Sequence, residues 1–445
     1  AKAIAIYQTE EDIANEALTN ISIAGLFVKQ QKYQSALDFY NANLSSENDL
    51  PLAVVATSYQ GKAEVLRLQL QYLNALQLYD KALQFWASIE NFKQAIVCLN
   101  SMGTLFETTG NLPESVRRYE QALSIAVKTE NDDAIAAISN NLGVVYRKLG
   151  DYPKALDAYE KALKVYLETN NSREASYCYN NIGIVYENQG DYTNASIYYE
   201  KSLSIKQDYG DKQGLATSYM NMGNVYKFSD NPKKAEDYYN QALTISTEIS
   251  DRQGQALSYG NLAALKIEGK SFHEAINLSL KSLAIAREID LKSAVKEAYR
   301  QLAWAYTLTL EPDSAEKAYL QVLEMNYSDI FSNFSILSES EKELFFRTVA
   351  EDFDRFTSFS LQRVKSNPEV SQAVYNNLLR NKGLLLKSST AMRTAIFTSN
   401  NEQLIASYEQ WIALKQEIAS LLTQPINERS ESINDLLEKA NSLER

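Results

Sequence analysis

A small residue returns every forty positions along this chain. Gly103, Gly143, Gly183 and Gly223 are followed at the same interval by Ala263 and Ala303. Around it a longer pattern repeats, clearest in Asn140–Ala162 and again in Asn180–Ser202. Twelve residues after each central position comes a second small residue (Ser115, Ala155, Ala195, Ala235, Ala275, Ala315), and seven further on a third (Ala122, Ala162, Ser202, Ala242, Ser282). Upstream, Ala63 with Ala75 and Ala82, and Ala24 with Ala36, obey the same rule, giving eight copies. Internal repetition of this length predicts a solenoid, in which each unit buries its apolar face only against its neighbours. Within a copy, two runs of helical period flank a turn such as Gly150-Asp151-Tyr152 or Gly190-Asp191-Tyr192. Glycine there can take the positive φ that ends a helix, and Asp can cap the next one. The unit is therefore a helix hairpin. A glycine inside a helix costs about 1 kcal/mol relative to alanine, so four at one repeat position imply a close approach that a Cβ would block. Tyrosines alternate with the small residues: Tyr146, Tyr186, Tyr226 and Tyr306 three after the centre, Tyr59, Tyr179, Tyr219, Tyr259 and Tyr299 four before it, and Tyr159, Tyr199, Tyr239 and Tyr319 four after the second small residue. Core packing is the expected use of these rings.

The Gly/Ala, Tyr, Ala, Tyr, Ala ladder resembles the tetratricopeptide repeat (TPR) in a longer-helix form. Connecting segments such as Gly210-Asp211-Lys212-Gln213-Gly214 and Ser250-Asp251-Arg252-Gln253-Gly254 are similar to those of scaffold proteins with this variant. The resemblance implies an all-α fold: a right-handed TPR superhelix (α-solenoid) of eight hairpins over residues 12–326, followed by a non-repeat helical extension over 327–445. Ala1–Tyr7 aligns with Glu160–Tyr166, the second half of a second helix, so residues 1–11 are expected to be the remnant of a preceding repeat, with Ile4 and Ile6 packed on the first full copy.

The charge balance narrows the partners. A net charge of −12 without a clustered basic stripe argues against nucleic acid and anionic membrane. No apolar run is long enough to span a bilayer. Cytoplasmic localisation is the expectation, although a chain that begins at Ala1 leaves a removed targeting segment open. The two cysteines, Cys98 and Cys178, lie two repeats apart, with three helices between them. At about 8–10 Å per helix contact they fall beyond disulfide reach. Both are expected to be buried apolar residues.

Beyond the repeats, residues 327–337 read as an apolar connector. Ser338-Glu339-Ser340-Glu341 is a capping-box pattern. Behind it Leu344, Phe345, Val349, Phe353, Phe356 and Phe359 fall at helical spacing. Asn367-Pro368 opens a helix containing Asn381-Lys382-Gly383-Leu384-Leu385-Leu386, another runs from about Asn400 to Leu422, and a last one after Pro425 carries Ile433, Leu436, Leu437 and Leu443. This order is similar to the connector of TPR proteins that carry a CHAT domain, a caspase-like cysteine protease fold. The resemblance implies a regulatory region whose protease domain would begin past Arg445, and an intramolecular C-terminal domain as one partner. No His–Cys dyad lies within the chain.

Enzymatic chemistry has little to stand on here. With a single histidine, His273, there is no Cys/His metal cluster and no His-based catalytic pair. The glycines follow the repeat and form no nucleotide-binding motif. No cofactor is expected. What stands out is an asparagine ladder: Asn141, Asn181, Asn221 and Asn261 two before the centre, and Asn100, Asn140 and Asn180 one before that. By resemblance to the TPR family, first helices line a concave face, and asparagine two before the centre contacts the backbone of a bound peptide. An amide offers both a donor and an acceptor for that role. Equally, these amides could bond between adjacent repeats and serve only stacking. Neighbouring positions one and four after the centre are mixed: Asn224, Arg147, Lys227, Glu107 and Glu187. The chain thus reads as a protein-interaction module for a peptide or protein ligand, either regulating a linked protease domain or standing alone as an adaptor. Its groove candidates are Asn100, Asn140, Asn141, Asn180, Asn181, Asn221, Asn224, Asn261, Arg147 and Lys227.

Overall fold

The structure, a computed structural model, describes residues 12–334, 339–399 and 401–422, with 436, 439, 440 and 443; within these, the side chains at 331–334, 339–341, 343–344, 381–392, 395, 419–420 and 422 lie outside this description. The residue 1–11 remnant with Ile4 and Ile6, the capping-box serine Ser338, and most of the last predicted helix lie outside the described residues. So do the side chains of the Lys382-Gly383 stretch, on which much of the connector resemblance rests.

Sixteen helices pair as eight hairpins among the described residues. They are α1 (Ile13–Lys29) with α2 (Tyr33–Leu44), α3 (Leu52–Leu68) with α4 (Tyr72–Ser88), α5 (Phe92–Thr108) with α6 (Leu112–Lys128), α7 (Asp132–Lys148) with α8 (Tyr152–Glu168), α9 (Ser172–Asn188) with α10 (Tyr192–Tyr209), α11 (Lys212–Phe228) with α12 (Pro232–Glu248), α13 (Arg252–Glu268) with α14 (Phe272–Glu288), and α15 (Lys292–Leu308) with α16 (Pro312–Phe334). Three longer helices follow: α17 (Glu339–Arg363), α18 (Val370–Thr398) and α19 (Glu402–Leu422). The chain divides into two compact units, Ala1–Ile245 and Ser246–Arg445.

Apart from α2, which leads into a 3-10 turn at Glu47–Asp49, the helices of the array end in one recurring turn, within hairpins and between them. At its centre is a residue of positive φ: Gly110, Gly150, Gly190 and Gly210, but also Leu70, Glu90, Glu130, Asn170 and Asp230. At Glu130 the bonds show how it works. Glu130 N donates to Val127 O (3.2 Å) and Asn131 N to Ala126 O (2.9 Å), the paired bonds of a Schellman termination. Asn131 then caps α7, its Oδ1 accepting from Ala134 N at 3.1 Å. Asp151 and Asp191 cap α8 and α10 in the same way. Expectation located this conformation at glycines; here side-chain-bearing residues also adopt it, because both flanking helices fix the turn.

In the first unit the small residues and the tyrosines fit one another. A Cβ added at Gly103, Gly143, Gly183 or Gly223 would stand within 2.6 Å of the ring of Tyr119, Tyr159, Tyr199 or Tyr239. Those four rings are at most 1% exposed. The other tyrosine columns are half-buried and stack in pairs: Tyr186 on Tyr198 and Tyr226 on Tyr238, both with centroids 5.4 Å apart. Core packing therefore holds fully for one column and in part for the rest. Cys98 and Cys178 are buried free thiols, each pushed up to about 12 by burial.

Lys206 of α10 is the polar exception in this core. It is 3% exposed, and its Nζ donates to Ser218 Oγ at 2.9 Å. Burial pulls its pKa down to about 8, with Asp211 acting weakly the other way. An unfolded lysine holds its proton to a higher pH, so between about pH 8 and the ordinary lysine value the unfolded chain binds more protons, and stability from this group rises with pH. The penalty below that window is on the order of 3 kcal/mol. The buried tyrosines, whose pKa values are raised, act oppositely above about pH 10, so the comparison to make is with Lys206→Met. In urea titrations the variant should exceed the parent in stability near neutral pH, and that advantage should shrink as pH rises through the window. A pH-independent difference would refute the buried-charge account.

The last helix of the array in the second unit runs past the expected end of the repeats. The predicted boundary at 326 falls inside α16, and the predicted connector begins as helix. Asn326, Tyr327 and Ile330 are at most 1% exposed and continue the buried stripe of Val322 and Leu323. With a buried face to continue and no turn residue to stop it, the helix runs on. Its partner is α17: Tyr327 meets Phe353 at 5.3 Å and Tyr319 meets Phe359 at 5.1 Å between centroids.

Candidate functional site

The first helices of the first unit present a half-buried polar face built from three positions per repeat. The innermost is the asparagine ladder. Asn141 Nδ2 donates to Asn100 Oδ1 (2.9 Å), Asn181 Nδ2 to Asn140 Oδ1 (3.0 Å) and Asn221 Nδ2 to Asn180 Oδ1 (3.0 Å). Six of the predicted residues thus come together as three inter-repeat pairs. Each pair consumes one donor and one acceptor. Among the described residues no protein donor reaches Oδ1 of Asn141, Asn181 or Asn221, and all three side chains remain half-buried.

In four hairpins one of the other two positions, one or four after the central small residue, meets the hydroxyl of the buried second-helix tyrosine. Tyr79 Oη donates to Glu64 Oε2 at 2.8 Å, Tyr119 Oη shares a hydrogen bond with Thr104 Oγ1 at 2.9 Å, Tyr199 Oη donates to Glu187 Oε2 at 2.5 Å, and Tyr239 Oη to Asn224 Oδ1 at 2.8 Å. Burial raises the pKa of Glu187, while its bonds to Tyr199 and Asn224 oppose the rise. Glu107 pairs with Lys148 of the next hairpin at 2.9 Å. Arg147 lies beside Tyr159, and Lys227 carries its Nζ over the Phe228 ring at 5.3 Å. Asn261 sits half-buried on α13 in the second unit, apart from the three ladder pairs. There Gln301 Nε2 donates to Gly260 O at 3.1 Å, a tie of the same span made with different groups.

Sequence reasoning missed a second feature. In the second unit a cleft of ≈ 420 Å³ opens between α13, α15, α16 and α17, lined among others by Trp304, Arg300, Glu351, Asp352 and Arg355. Trp304 is 39% exposed, with the Arg355 guanidinium 5.5 Å from its ring centroid. A tryptophan at the position one after Ala303 was a signal in the repeat alignment; the α17 residues facing it were not, because they lie outside the period. Among the described residues no cluster of His, Cys, Asp and Glu could hold a metal ion, and no helix is long and apolar enough to cross a membrane. His273 is an exposed helix residue.

The hairpins with their small-residue and tyrosine columns can now be set beside known proteins. The tetratricopeptide repeat pattern matches residues 54–128, 98–168, 134–208, 174–248 and 254–328, together more than half of the chain. The chain belongs to the tetratricopeptide-repeat family. Among solved structures, a signal transduction ATPase with numerous domains from Pyrococcus horikoshii, which has a tetratricopeptide repeat sensor, superposes with a TM-score of 0.54 at 16% identity, over 75% of this chain and 50% of that one. The apo form of RapI superposes with a TM-score of 0.52 at 17% identity, over 62% of this chain and 99% of that one. At these identities the likeness concerns the TPR fold alone. No curated protein matches the chain.

Proposed function

We propose that the first-helix face of the first unit is a groove that binds an extended segment of a protein partner. The observation that carries this reading is the row of amide oxygens on Asn141, Asn181 and Asn221, half-buried and unused by the protein. An extended segment has free backbone N–H groups at regular spacing, and each oxygen can accept one. Family membership supports the reading, since solenoids of this kind bind on their concave surface, as does the sensor role of the repeats in the Pyrococcus horikoshii protein. On the resemblance of its tail, the chain would be the regulatory region of a larger protein with a CHAT-type protease domain. A free-standing adaptor is the alternative. Whether the reading frame continues past Arg445 into a domain with a His and a Cys decides between them.

The two faces of the ladder can be separated experimentally. Asn141→Ala, Asn181→Ala and Asn221→Ala together remove both the ties and the oxygens. Asn100→Ala, Asn140→Ala and Asn180→Ala together remove only the ties. Both triple variants should melt lower. Only the first should weaken the partner recovered by pulldown, by about ten- to a thousand-fold at about 0.5–1.5 kcal/mol per hydrogen bond. Equal affinity for both variants would make the ladder a stacking device and end the groove assignment.

A further inference from the structure

The cleft of the second unit has a settled floor and an open rim. At the floor Asp352 accepts from Arg300 Nε and Nη2, at 2.8 and 2.6 Å, so one carboxylate answers one guanidinium. At the rim two exposed carboxylates, Glu297 of α15 and Glu351 of α17, stand against one exposed guanidinium, Arg355. Glu268 lines the same rim from α13. The acceptors of the first two are not used up. Arg355 Nε (3.0 Å) and Nη2 (2.7 Å) both end on Oε1 of Glu351. The bonds to Glu297, from Gln301 Nε2 at 3.3 Å and Arg300 Nη1 at 3.5 Å, lie at the long end of the hydrogen-bond range. Between these carboxylates the wall is Trp304, 39% exposed although it lines a cleft of ≈ 420 Å³. Sites for small ligands span about 300–1,000 Å³, and tryptophan is a favoured anchor for partners.

The molecule itself shows what this ring accepts. Arg355 holds its guanidinium 5.5 Å from the Trp304 ring centroid while it bonds Glu351, and more than a third of the tryptophan surface stays open beside it. We propose that the cleft binds a second guanidinium, one carried by a ligand, stacked on the open surface of Trp304 and bonded to the rim carboxylates. A guanidinium is flat and weakly hydrated, so it can lie on an indole while its in-plane N–H groups reach carboxylate oxygens. An ammonium is compact and strongly hydrated and uses the ring less well. An anion is disfavoured, because Arg300 and Arg355 already have carboxylate partners and Glu297 and Glu351 would repel it. The site belongs to the second unit and uses no part of the asparagine ladder, so it stands or falls apart from the groove. The guanidinium could come from an arginine within a protein partner or from a free small molecule, and the test separates these.

The full chain, isotope-labelled at tryptophan, is titrated by NMR at constant ionic strength. The Trp304 indole N–H signal is identified by its loss in Trp304→Phe. The probes are N-acetylarginine N-methylamide for an arginine within a chain, free arginine for a small molecule, and N-acetylcitrulline N-methylamide as the neutral isostere. A saturable shift of the Trp304 signal is expected with one or both arginine probes, and the tighter one names the source. The citrulline probe should bind about ten-fold more weakly or worse. Glu297→Gln with Glu351→Gln should leave the melting temperature nearly unchanged, since both side chains are exposed, and should weaken the arginine probes about two- to thirty-fold. Glu297→Gln alone makes the same test, in the same direction, with the Arg355 pair intact. Absence of a saturable shift from both arginine probes, equal binding of the citrulline probe, or unchanged affinity in the carboxylate variants would each overturn the assignment.

Discussion

Gly143→Leu and Gly183→Leu are each expected to destabilise the first unit by at least about 3 kcal/mol, the upper part of the range for overpacking, and to lower its melting temperature by about 5–10 °C. The reason is geometric. A Cβ at either position would stand 2.6 Å from ring carbons of Tyr159 or Tyr199, nearer than carbon atoms tolerate, and leucine adds three more carbons beyond it. The rings are 0% exposed and have nowhere to swing. Gly25→Ala is the control: nothing lies within 4 Å of a Cβ added there, and replacing a mid-helix glycine should stabilise by up to about 1 kcal/mol. Melting curves of both leucine variants that overlay the parent would show that the hairpin contact is not tight.

The second large effect belongs to the other unit. Asp352 of α17 is 7% exposed and accepts from Arg300 Nε (2.8 Å), Arg300 Nη2 (2.6 Å) and Asn326 Nδ2 (2.7 Å). Asp352→Ala removes the one group that serves all three donors. It leaves the partly buried Arg300 guanidinium with only Glu297, 3.5 Å from its Nη1, and the Asn326 amide donor at 0% exposure without its acceptor. Breaking a buried pair from one side costs about 3–5 kcal/mol; the exposed edge of Arg300, whose side chain is 33% accessible, puts this case near the lower end. The loss should appear as earlier unfolding followed by the fluorescence of Trp304, which lines the same cleft. Asp352→Asn, which keeps the shape and part of the bonding, should recover about half. An Asp352→Ala variant as stable as the parent would mean that α17 is held by its phenylalanines alone.

These cases show what a one-dimensional pattern carries and what it does not. The glycine and tyrosine columns were legible because each contact recurs at a fixed offset, and repetition separates it from chance. The helix starts after Asp151 and Asp191 were legible from their caps for the same reason; the Asn caps, such as Asn131, were not read. The left-handed turns at Glu90, Glu130 and Asp230 were not, because their conformation is imposed by the two helices they join and not by their own preference. The repeat pattern ends at 328, close to the expected 326; that the last helix runs on to Phe334 was not legible, because the stripe through Asn326, Tyr327 and Ile330 is answered by α17, an element outside the period. The asparagine ladder was visible as a column, but whether its amides face each other or a ligand could not be read; the structure pairs Asn100, Asn140 and Asn180 with Asn141, Asn181 and Asn221.

The recurring turn has a consequence for how such a chain can change over generations. Apart from the longer link of residues 45–51 between α2 and α3, each described junction of the array is a left-handed residue followed directly by the cap of the next helix, so it holds no slack. Inserting one residue within a helix would rotate everything beyond it by about 100° around that helix axis. Gly143 would then no longer face Tyr159, and an asparagine would no longer meet its counterpart in the next hairpin. Adding one residue at the junction would break the paired bonds at Glu130 and Asn131 instead. Small insertions and deletions should therefore be purged along the array, while gain or loss of a whole hairpin leaves every local environment intact. Length variation among descendants of this gene should come in quanta of one repeat, and alignments of such arrays should show gaps of that size or none.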